Sequence, residues 1–411
     1  MKVLHVIDCI NVQQGGPSVS VPALARAQAK LGHEVTIVCR DYGYLGPMPK
    51  VEGVKVRTVP GNRWTKVNGG WGCSLRRLVE EEAEKVDVVH NHGVWLAANY
   101  YARRAAVKAG KPLVISPRGM LEGWSLGRAV AKKFVAWHLF ERKNLESAAL
   151  FHATSESEAE AIATALRMRI RMKIKEPRIV VAPNGVEVPE KIPGREFLER
   201  RYAELKGKRW VLFMSRIHRK KGLDLLLQAW VSQKTGAPSG LGLRLRLSEH
   251  VLVIAGPEED RGYAEKLKRE SDREVIWTGE LRGEEKWAAL GNAEFLVLPS
   301  HSENFGIVVA ESLAAGRPVV TTTGTPWGEA ETPIRMKGNN NGESMNLERR
   351  KCGVICEVAD LKRGLERLLE FSDKEREEMG ARGREWMKEE FSWEAGAGKL
   401  IAAYKKMGIE S

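Results

Sequence analysis

Cysteine is scarce in this chain, and it has no long apolar run. Five of the 411 residues are cysteine, and no two of them form a CxxC pair, so we expect free thiols in a reducing compartment. No apolar run reaches the ~18–20 residues that span a bilayer. The apolar N-terminal run is interrupted by Asp8 and is too short for a secretory signal. These absences predict a cytoplasmic globular protein.

The sequence also lacks the usual marks of a metal site. It has no acidic DxD run that would hold a divalent ion, and its nine histidines are scattered, except for His90 and His92. We expect these two histidines, which alternate along a strand, to point to opposite faces of the sheet and so not to share an ion. The prediction is therefore that the protein holds no metal.

Basic residues exceed acidic ones, 66 to 53, which gives a formal net charge of +13. Residues 1–190 contain 28 basic and 18 acidic residues, a net charge of +10, and the remainder contributes only +3. A basic half attracts nucleic acid, anionic lipid or phosphorylated substrates. Because no basic motif laced with aromatic residues is present, we expect no nucleic-acid partner. An anionic surface or a phosphate-bearing ligand is the favoured interpretation, and a merely solvated face is the alternative.

Short apolar runs alternate with helical segments in both halves, which predicts an α/β fold with parallel sheets and helices on both faces. The predicted strands of the first half are residues 2–7, 34–40, 87–93, 112–117, 149–155 and 178–185. Those of the second half are residues 210–216, 251–256, 274–279, 293–300 and 317–323. A polar linker after Gly185 separates two doubly wound domains, 1–188 and 189–391, and insertions at 232–248 and 333–349 are expected to be surface loops.

Candidate ligand-binding residues directly follow predicted strands. In doubly wound folds, ligands bind at the carboxyl ends of the strands, where helix N-termini offer free amides. Glu303 lies in the loop after strand 293–300, and Glu311 lies on the helix that follows. Arg216 and Lys221 lie between a strand and a helix, so we expect the turn to bring both cations to one diphosphate.

A glycine pair follows the first predicted strand. Gly15 and Gly16 allow the backbone to approach a phosphate closely, and Pro17 suits the first position of a helix. This turn is a weak signal when taken alone, because it is not a GxGxxG motif.

Together these segments resemble the family-4 glycosyltransferases of the GT-B fold over essentially the whole chain. Arg216 with Lys221-Gly222 matches the arginine and lysine-glycine element of that family, and Glu303 with Glu311 matches its paired-glutamate motif. Four further segments resemble a bacterial polysaccharide-assembly branch: His90-Asn91-His92-Gly93, Ser116-Pro117-Arg118-Gly119-Met120-Leu121, Ala182-Pro183-Asn184-Gly185-Val186 and Thr325-Pro326-Trp327.

The resemblance implies two Rossmann-like domains that face each other across a cleft, with the nucleotide sugar held mainly by the C-terminal domain. The N-terminal domain would carry the acceptor side, and a last helix at about 392–411 would cross back onto it. The implied activity is retaining, metal-independent transfer of a hexosyl group from a UDP- or GDP-sugar. The implied acceptor is a saccharide or a lipid-linked saccharide in cell-surface polysaccharide or glycolipid assembly. No cofactor is implied, because the nucleotide sugar is a substrate.

The resemblance also implies roles for single residues. Arg216 and Lys221 would neutralise the donor diphosphate and stabilise the leaving group. Glu303 would orient the donor sugar, and Glu311 would accept hydrogen bonds from the ribose hydroxyls. His92 would contact the transferring sugar. The other implied substrate-binding residues are Gly15, Gly16, Arg118, Asn304, Phe305, Gly306 and Ile307.

Two other functions stay open at this point. A GT-B-shaped nucleotide-sugar epimerase would need acid and base groups beside the sugar, and the paired-glutamate segment is more similar to transferases. A non-catalytic nucleotide-sugar-binding subunit would need only the binding residues, and the presence of all four charged site residues argues against it.

A helix predicted over about 127–147 combines basic and aromatic residues. We expect its basic residues to contact an anionic membrane, which would place the protein at the inner face of the cytoplasmic membrane. We expect its aromatic residues to pack on the protein's own sheet.

Overall fold

The computed structural model describes residues 1–11, 16–170, 177–235, 250–272, 274–327 and 351–408. The chain divides into two compact units. The first contains Met1–Gly185 and Ser392–Ser411, and the second contains Val186–Phe391.

The first unit is built on a parallel sheet whose described strands run in the order β3-β2-β1-β4-β5-β6-β7. The strands are β1 (Lys2–Cys9), β2 (Glu34–Asp41), β3 (Val54–Pro60), β4 (Val88–His92), β5 (Leu113–Ser116), β6 (Leu150–Ala153) and β7 (Ile179–Val181). The helices between them are α1 (Gly16–Lys30), α2 (Arg63–Val67), α3 (Cys73–Ala83), α4 (Ala97–Lys108), α5 (Gly123–Leu126), α6 (Val130–Ala136), α7 (Arg142–Glu146) and α8 (Glu156–Ile170).

The second unit has a parallel sheet with described strands in the order β10-β9-β8-β11-β12-β13. The strands are β8 (Arg209–Met214), β9 (His250–Ala255), β10 (Val275–Gly279), β11 (Phe295–Leu298), β12 (Val319–Thr322) and β13 (Gly353–Cys356). The helices are α9 (Glu196–Glu199), α10 (Leu223–Thr235), α11 (Arg261–Glu270), α12 (Gly283–Asn292), α13 (Ile307–Ala314), α14 (Leu361–Glu370) and α15 (Asp373–Glu390), and α16 (Trp393–Lys405) returns to the first unit.

Each sheet is buried on both faces, because helices cover both. Seven of the eight residues of β1 are buried, which is typical of a central strand in a parallel sheet. Leu4 and Val6 pack under α3 and α4 on one face, while Val3 packs with α1 and α16 on the other. The second sheet likewise separates two apolar clusters, one around Leu296 and one around Val297.

The predicted α/β fold with two Rossmann-like units is confirmed, and its errors lie at the sheet edges. The apolar pattern does not predict β3, since Lys55 and Arg57 alternate with its apolar residues, nor does it predict β13 (Gly353–Cys356). The helix predicted over 127–147 consists of α6, a π-helical segment at Trp137–Glu141, and α7. The insertion at 333–349 and most of that at 232–248 lie outside the described residues.

In the described part of the chain, each helix is too short or too polar to cross a bilayer. All five cysteines are free thiols.

Candidate active site

Two loops meet at the carboxyl edge of the second sheet, where the neighbouring strands β8 and β11 end. The loop after β8 forms a short 3₁₀ turn, Arg219–Lys221, and is closed by Gly222, whose φ is +64°. A Cβ on Gly222 would collide with the carbonyl oxygen of Pro299 in the loop after β11. Only glycine therefore permits this approach, which places Lys221 beside the second loop.

Lys221 forms an ion pair with Glu303, and both side chains are about one-tenth exposed, 10% and 11%. The hydroxyl of Ser300 donates a hydrogen bond to Oε1 of Glu303 at 2.7 Å. The backbone N–H of Glu303 donates to the carbonyl of Gly324 at 2.8 Å, which fixes the loop that carries the carboxylate. The structure thus brings together two residues that are 82 positions apart in the sequence.

The helix α13 begins directly after this carboxylate. Its N-cap is Gly306, with φ of +69°, and glycine has no side chain to cap the first amides of the helix. The indole Nε1 of Trp327 donates to the carbonyl of Phe305, which holds the loop under the helix start. The uncapped N-terminus therefore presents donor amides and a partial positive charge next to Glu303.

Glu311 lies on α13, and its carboxylate contacts Lys286 of α12 at 2.8 Å. Its side chain is 16% exposed, so this ion pair is largely shielded from water. The two glutamates of the motif therefore each have a separate lysine partner. Lys286 carries no motif signal in the sequence, because its contact with Glu311 joins two helices that are separate along the chain.

Arg216 does not share a partner with Lys221. Its guanidinium contacts Glu259 at 2.7 Å, and both side chains are 47% exposed. The turn between β8 and α10 thus directs the two cations to different carboxylates in this structure. Among the other predicted residues, Asn304, Gly306 and Ile307 are half-buried, and Phe305 is buried.

The prediction that His90 and His92 point to opposite faces of their strand is wrong. Residues two apart in a strand point to the same face, and the two ring centroids lie 4.2 Å apart. His5 of β1 joins them, and the ligand atoms of the three buried histidines lie within 4.8 Å of one another. Burial lowers the pKa of His90 and of His92 well below 6.5, so both rings are neutral at pH 7.

Arg118 lies in the loop after β5, with a left-handed φ of +56°. Its Nη1 donates to Oδ1 of Asn184 at 2.8 Å, and its Nη2 donates to Nδ1 of His92 at 3.3 Å. Burial lowers the pKa of Arg118 to about 10. The structure therefore brings Arg118 and His92, which were both predicted as site residues, into direct contact.

The glycine pair is only partly described. Gly15 lies outside the described residues. Gly16 is the first residue of α1, and a Cβ built on it would meet no atom within 4 Å.

Two family profiles match nearly the whole chain. The profile of the glycosyl transferase 4-like domain matches residues 15–185, and that of glycosyl transferases group 1 matches residues 194–386.

Two curated relatives match about three-quarters of the chain. A GDP-mannose:cellobiosyl-diphosphopolyprenol alpha-mannosyltransferase of Xanthomonas campestris is 27% identical over 323 residues, 77% of each chain. A D-inositol 3-phosphate glycosyltransferase of Actinosynnema mirum is 29% identical over 331 residues, 74% of this chain and 75% of that protein.

Solved structures share the fold over the whole length. Anabaena Alr3699/HepE in complex with UDP-glucose matches with a TM-score of 0.72 at 15% identity and covers 99% of this chain and 100% of that one. WaaG, a glycosyltransferase involved in lipopolysaccharide biosynthesis, matches with a TM-score of 0.65 at 16% identity, over 99% of both chains. With both profiles matched and the two Rossmann-like units in place, the chain belongs to the family-4 glycosyltransferases of the GT-B fold.

Proposed function

We propose that the protein transfers a hexosyl group from a UDP- or GDP-sugar to a saccharide or lipid-linked saccharide acceptor, retaining the anomeric configuration and using no metal ion. The relatives support this proposal. The Xanthomonas protein is named for GDP-mannose and a diphosphopolyprenol-linked acceptor, and the Anabaena protein forms a complex with UDP-glucose. In the reaction, the bond from the anomeric carbon to the diphosphate breaks and a bond to the oxygen of an acceptor hydroxyl forms. The proton of that hydroxyl passes to the departing nucleoside diphosphate.

The observation that carries the proposal is the Lys221–Glu303 ion pair beside the N-terminus of α13. A diphosphate would compete with the carboxylate for the ammonium group of Lys221, because it offers more negative charge. Glu303 would then be held by Ser300 alone and could accept hydrogen bonds from the donor sugar. Its charge would also stabilise the positive charge that develops at the anomeric carbon. The amides of residues 304–307 would contact the sugar or the phosphate.

The remaining roles follow from exposure and partners. Arg216 is half-exposed, so its guanidinium could exchange Glu259 for the diphosphate at small cost. Glu311 would accept hydrogen bonds from the ribose hydroxyls, with Lys286 fixing its carboxylate. Gly16, with its neighbour Gly15, would approach the diphosphate.

The proposed role of His92 is positional. Both of its ring nitrogens are engaged, one by Arg118 and one by His5. It would therefore shape the backbone around Gly93 beside the sugar rather than transfer a proton.

One surface of the first unit supports the proposal that the acceptor is carried by a membrane, as in cell-surface polysaccharide or glycolipid assembly. Phe134 and Leu139 are exposed to 64% and 71% of their area. The expectation that the aromatic residues of this helix pack on the sheet is therefore wrong for Phe134. Arg128 and Lys132 are exposed beside them. A basic and apolar face of this kind suits an anionic bilayer surface.

Incubation with labelled UDP- and GDP-sugars, with and without saccharide acceptors, tests the proposed activity. We expect a labelled product only with the acceptor present. We also expect Lys221→Met to abolish transfer while Lys206→Met, at an exposed lysine of the same unit, leaves it unchanged. An isomerised donor would indicate an epimerase, and donor binding without any conversion would indicate a non-catalytic subunit.

Metal independence is a separate prediction. Lys221 and Arg216 supply the positive charge for the leaving diphosphate, so transfer should survive excess EDTA. Complete loss of transfer that magnesium or manganese restores would contradict it.

A further inference from the structure

A row of polar side chains crosses one face of the first sheet near its carboxyl edge. β1 and β4 pair with His5 opposite His90, and β4 and β5 pair with His92 opposite Ser116. Because side chains alternate along a strand, the row lies on the face that α1 and α16 cover. Its members are His5, His90, His92, Ser116 and His152 from the strands, Gln28 from α1 and Tyr404 from α16.

The hydrogen bonds of this row have a fixed direction, which starts at Arg118. A guanidinium can only donate, so Nδ1 of His92 accepts from Arg118 and Nε2 of His92 carries the ring proton. That Nε2–H donates to Nδ1 of His5 at 2.8 Å, and Nε2–H of His5 donates to Oε1 of Gln28 at 2.7 Å. Each of these three donors already has an acceptor, so this series of hydrogen bonds leaves no donor for the remaining polar atoms of the cluster.

Five buried polar atoms of this row and of Arg118 have no hydrogen-bond partner within the described residues. They are Nε2 of Gln28, Nε of Arg118, Nε2 of His90, Oγ of Ser116 and Nδ1 of His152. Nearly all buried polar atoms in folded proteins are hydrogen-bonded. Five such atoms in one cluster therefore point to a polar ligand that completes the site.

The charge of the cluster decides the kind of ligand. Arg118 is 8% exposed, and its hydrogen-bond partners within the described residues are the neutral side chains of Asn184 and His92. The carboxylate of Glu158 attracts Arg118 electrostatically, but its hydrogen bonds come from the backbone N–H groups of Gly119 and Thr154. The lowered pKa of Arg118 indicates that burial outweighs the attraction of Glu158. The cluster therefore lacks negative charge beside a buried cation, a costly arrangement unless it is paired.

A metal ion suits the same atoms less well. His5, His90 and His92 place three nitrogens close together, and neutral imidazole is a good ligand for zinc. However, a divalent cation beside the buried guanidinium of Arg118 would add repulsion to a site without a contacting carboxylate. The balance of charge favours an anion over a cation.

We propose that Arg118 and the polar row around it bind an oxyanion, a carboxylate or phosphate group carried by a sugar substrate. This inference rests on the proposed function only for the identity of the molecule that carries the group. The planar guanidinium matches the two oxygens of such a group. The hydroxyl of Ser116 and the Nε2–H of His90, whose Nδ1 accepts from Tyr404, donate further hydrogen bonds. Nδ1 of His152 carries no proton, because Nε2–H of that ring donates to the carbonyl of Ala182, so it accepts a hydrogen bond and does not contact the anion. The substrate class is thus an acidic or phosphorylated sugar rather than a neutral one.

Thermal unfolding of the full chain at constant ionic strength tests this site without any transfer reaction. Sodium glucuronate and inorganic phosphate are the probes. Sodium chloride and glucose are the comparisons, because neither contains an oxyanion. We expect at least one oxyanion to raise the Tm by ~3 °C at saturation, while glucose and chloride do not. A response to glucuronate alone identifies a sugar carboxylate, and a response to phosphate identifies a phosphate group.

Variants locate the effect. Arg118→Gln should abolish the shift and Arg118→Lys should reduce it, because lysine keeps the charge and loses the fork. Arg104→Gln, at an exposed arginine of α4, should keep the full shift. If Arg118→Gln does not fold, two other measurements take its place. One is the Tm shift of Arg118→Lys, and the other is a titration of the wild-type protein with the same probes, followed by its imidazole ¹⁵N signals. Those signals should shift on titration.

Three results would overturn the proposal. The first is the absence of any oxyanion-specific shift in the wild-type chain. The second is a shift that persists in full in Arg118→Gln. The third is stabilisation by zinc chloride with no response to oxyanions, which would identify a metal site. None of these results would affect the transfer assay, so the proposed function is tested separately.

Discussion

Glu303 and Glu311 differ in their surroundings at the level of single residues. Glu303 lies in a loop, accepts a hydrogen bond from Ser300, and forms an ion pair with Lys221, which the proposed donor diphosphate would replace. Glu311 lies within a helix and is fixed by Lys286 of the neighbouring helix. These surroundings predict a carboxylate whose partners change during the reaction and a carboxylate whose partners stay the same.

Substitution by glutamine should therefore affect the two positions differently. Glu303→Gln should mainly lower kcat, by ~10²-fold or more, because it removes a preorganised charge that acts as charge develops on the sugar. Glu311→Gln should mainly raise KM for the donor, because uniform binding acts on ground state and transition state alike. Steady-state kinetics with saturating acceptor measure both effects.

The control for this pair is Glu258→Gln, which changes an exposed glutamate paired with Lys268. It should leave both constants unchanged, and circular dichroism should show all three variants folded. Loss of turnover at saturating donor in Glu311→Gln, together with a changed KM alone in Glu303→Gln, would reverse the two roles.

The sequence suggests which charged residues are candidates for the site, but it does not give their partners. Motif spacing selects Glu303, Glu311 and Lys221 as candidates, since each follows a strand at a ligand-binding edge. It does not identify Lys286, which contacts Glu311 only because α12 packs near α13. The sequence analysis also placed His92 on the wrong face of its strand. The contacts of His92 with β1 and with the loop after β5 depend on the order of the strands in the sheet.

At the level of elements, the π-helical segment Trp137–Glu141 has a consequence for pH dependence. It places Glu141 in the interior, where its Oε2 accepts a hydrogen bond from the backbone N–H of Trp95 at 2.9 Å. Trp95 has a left-handed φ of +75°. Burial raises the pKa of Glu141 from 4.5 to about 7. The carboxyl group therefore keeps its proton in the folded protein over a pH range in which the unfolded chain releases it.

This difference predicts a loss of stability as pH rises from about 4.5 to about 7, because the folded state binds more protons there. Glu141→Gln keeps the acceptor for Trp95 and removes the titration. It should raise the free energy of unfolding at pH 8 by ~3 kcal/mol, about 1.4 kcal/mol per unit of pKa, and change it little at pH 4.5. Urea denaturation at both pH values measures the effect.

Glu146→Gln is the matched control, since Glu146 lies farther along the same helical run and pairs with Arg142 at the surface. It should shift stability by a similar small amount at both pH values. Equal stabilisation by Glu141→Gln at pH 4.5 and pH 8 would contradict the assignment of the titration to this carboxyl.

The element pattern shows where sequence reasoning reaches its limit. Central strands such as β11 are short continuous apolar runs, because they are buried on both faces, and such runs can be identified in the sequence. The edge strand β3 is half-exposed and carries charged residues, so it resembles a loop. The interruption by a π segment depends on the burial of Glu141 and Phe140 against distant residues.

At the level of the whole chain, the last helix completes the core of the first unit. Trp393, Leu400 and Ile401 of α16 are buried with Val3 and Leu24 in one apolar cluster. This arrangement joins the two ends of the chain in one unit, although about two hundred residues of the second unit lie between them.

The hydroxyl of Tyr404 should contribute measurably to this packing, because it hydrogen-bonds Nδ1 of His90 at 2.7 Å in a fully buried setting. Tyr404→Phe should lower the free energy of unfolding by ~1–3 kcal/mol, since a buried ring nitrogen loses its partner. Tyr44→Phe, at an exposed tyrosine, should have little effect. Thermal unfolding compares the two, and equal stability of Tyr404→Phe and wild type would show that this hydrogen bond contributes nothing.

Charge and exposed apolar surface together predict how the molecule meets a membrane. The net charge of +10 lies in residues 1–190, and the same half exposes Phe134 and Leu139. Co-sedimentation with liposomes should rise with the anionic lipid content and fall with salt, because the Debye length is only ~10 Å at 0.1 M. Phe134→Ser should weaken binding ~10-fold, the loss expected for one buried aromatic group. Phe371→Ser, at an exposed phenylalanine of the second unit, should leave binding unchanged, and equal pelleting with neutral vesicles would contradict the prediction.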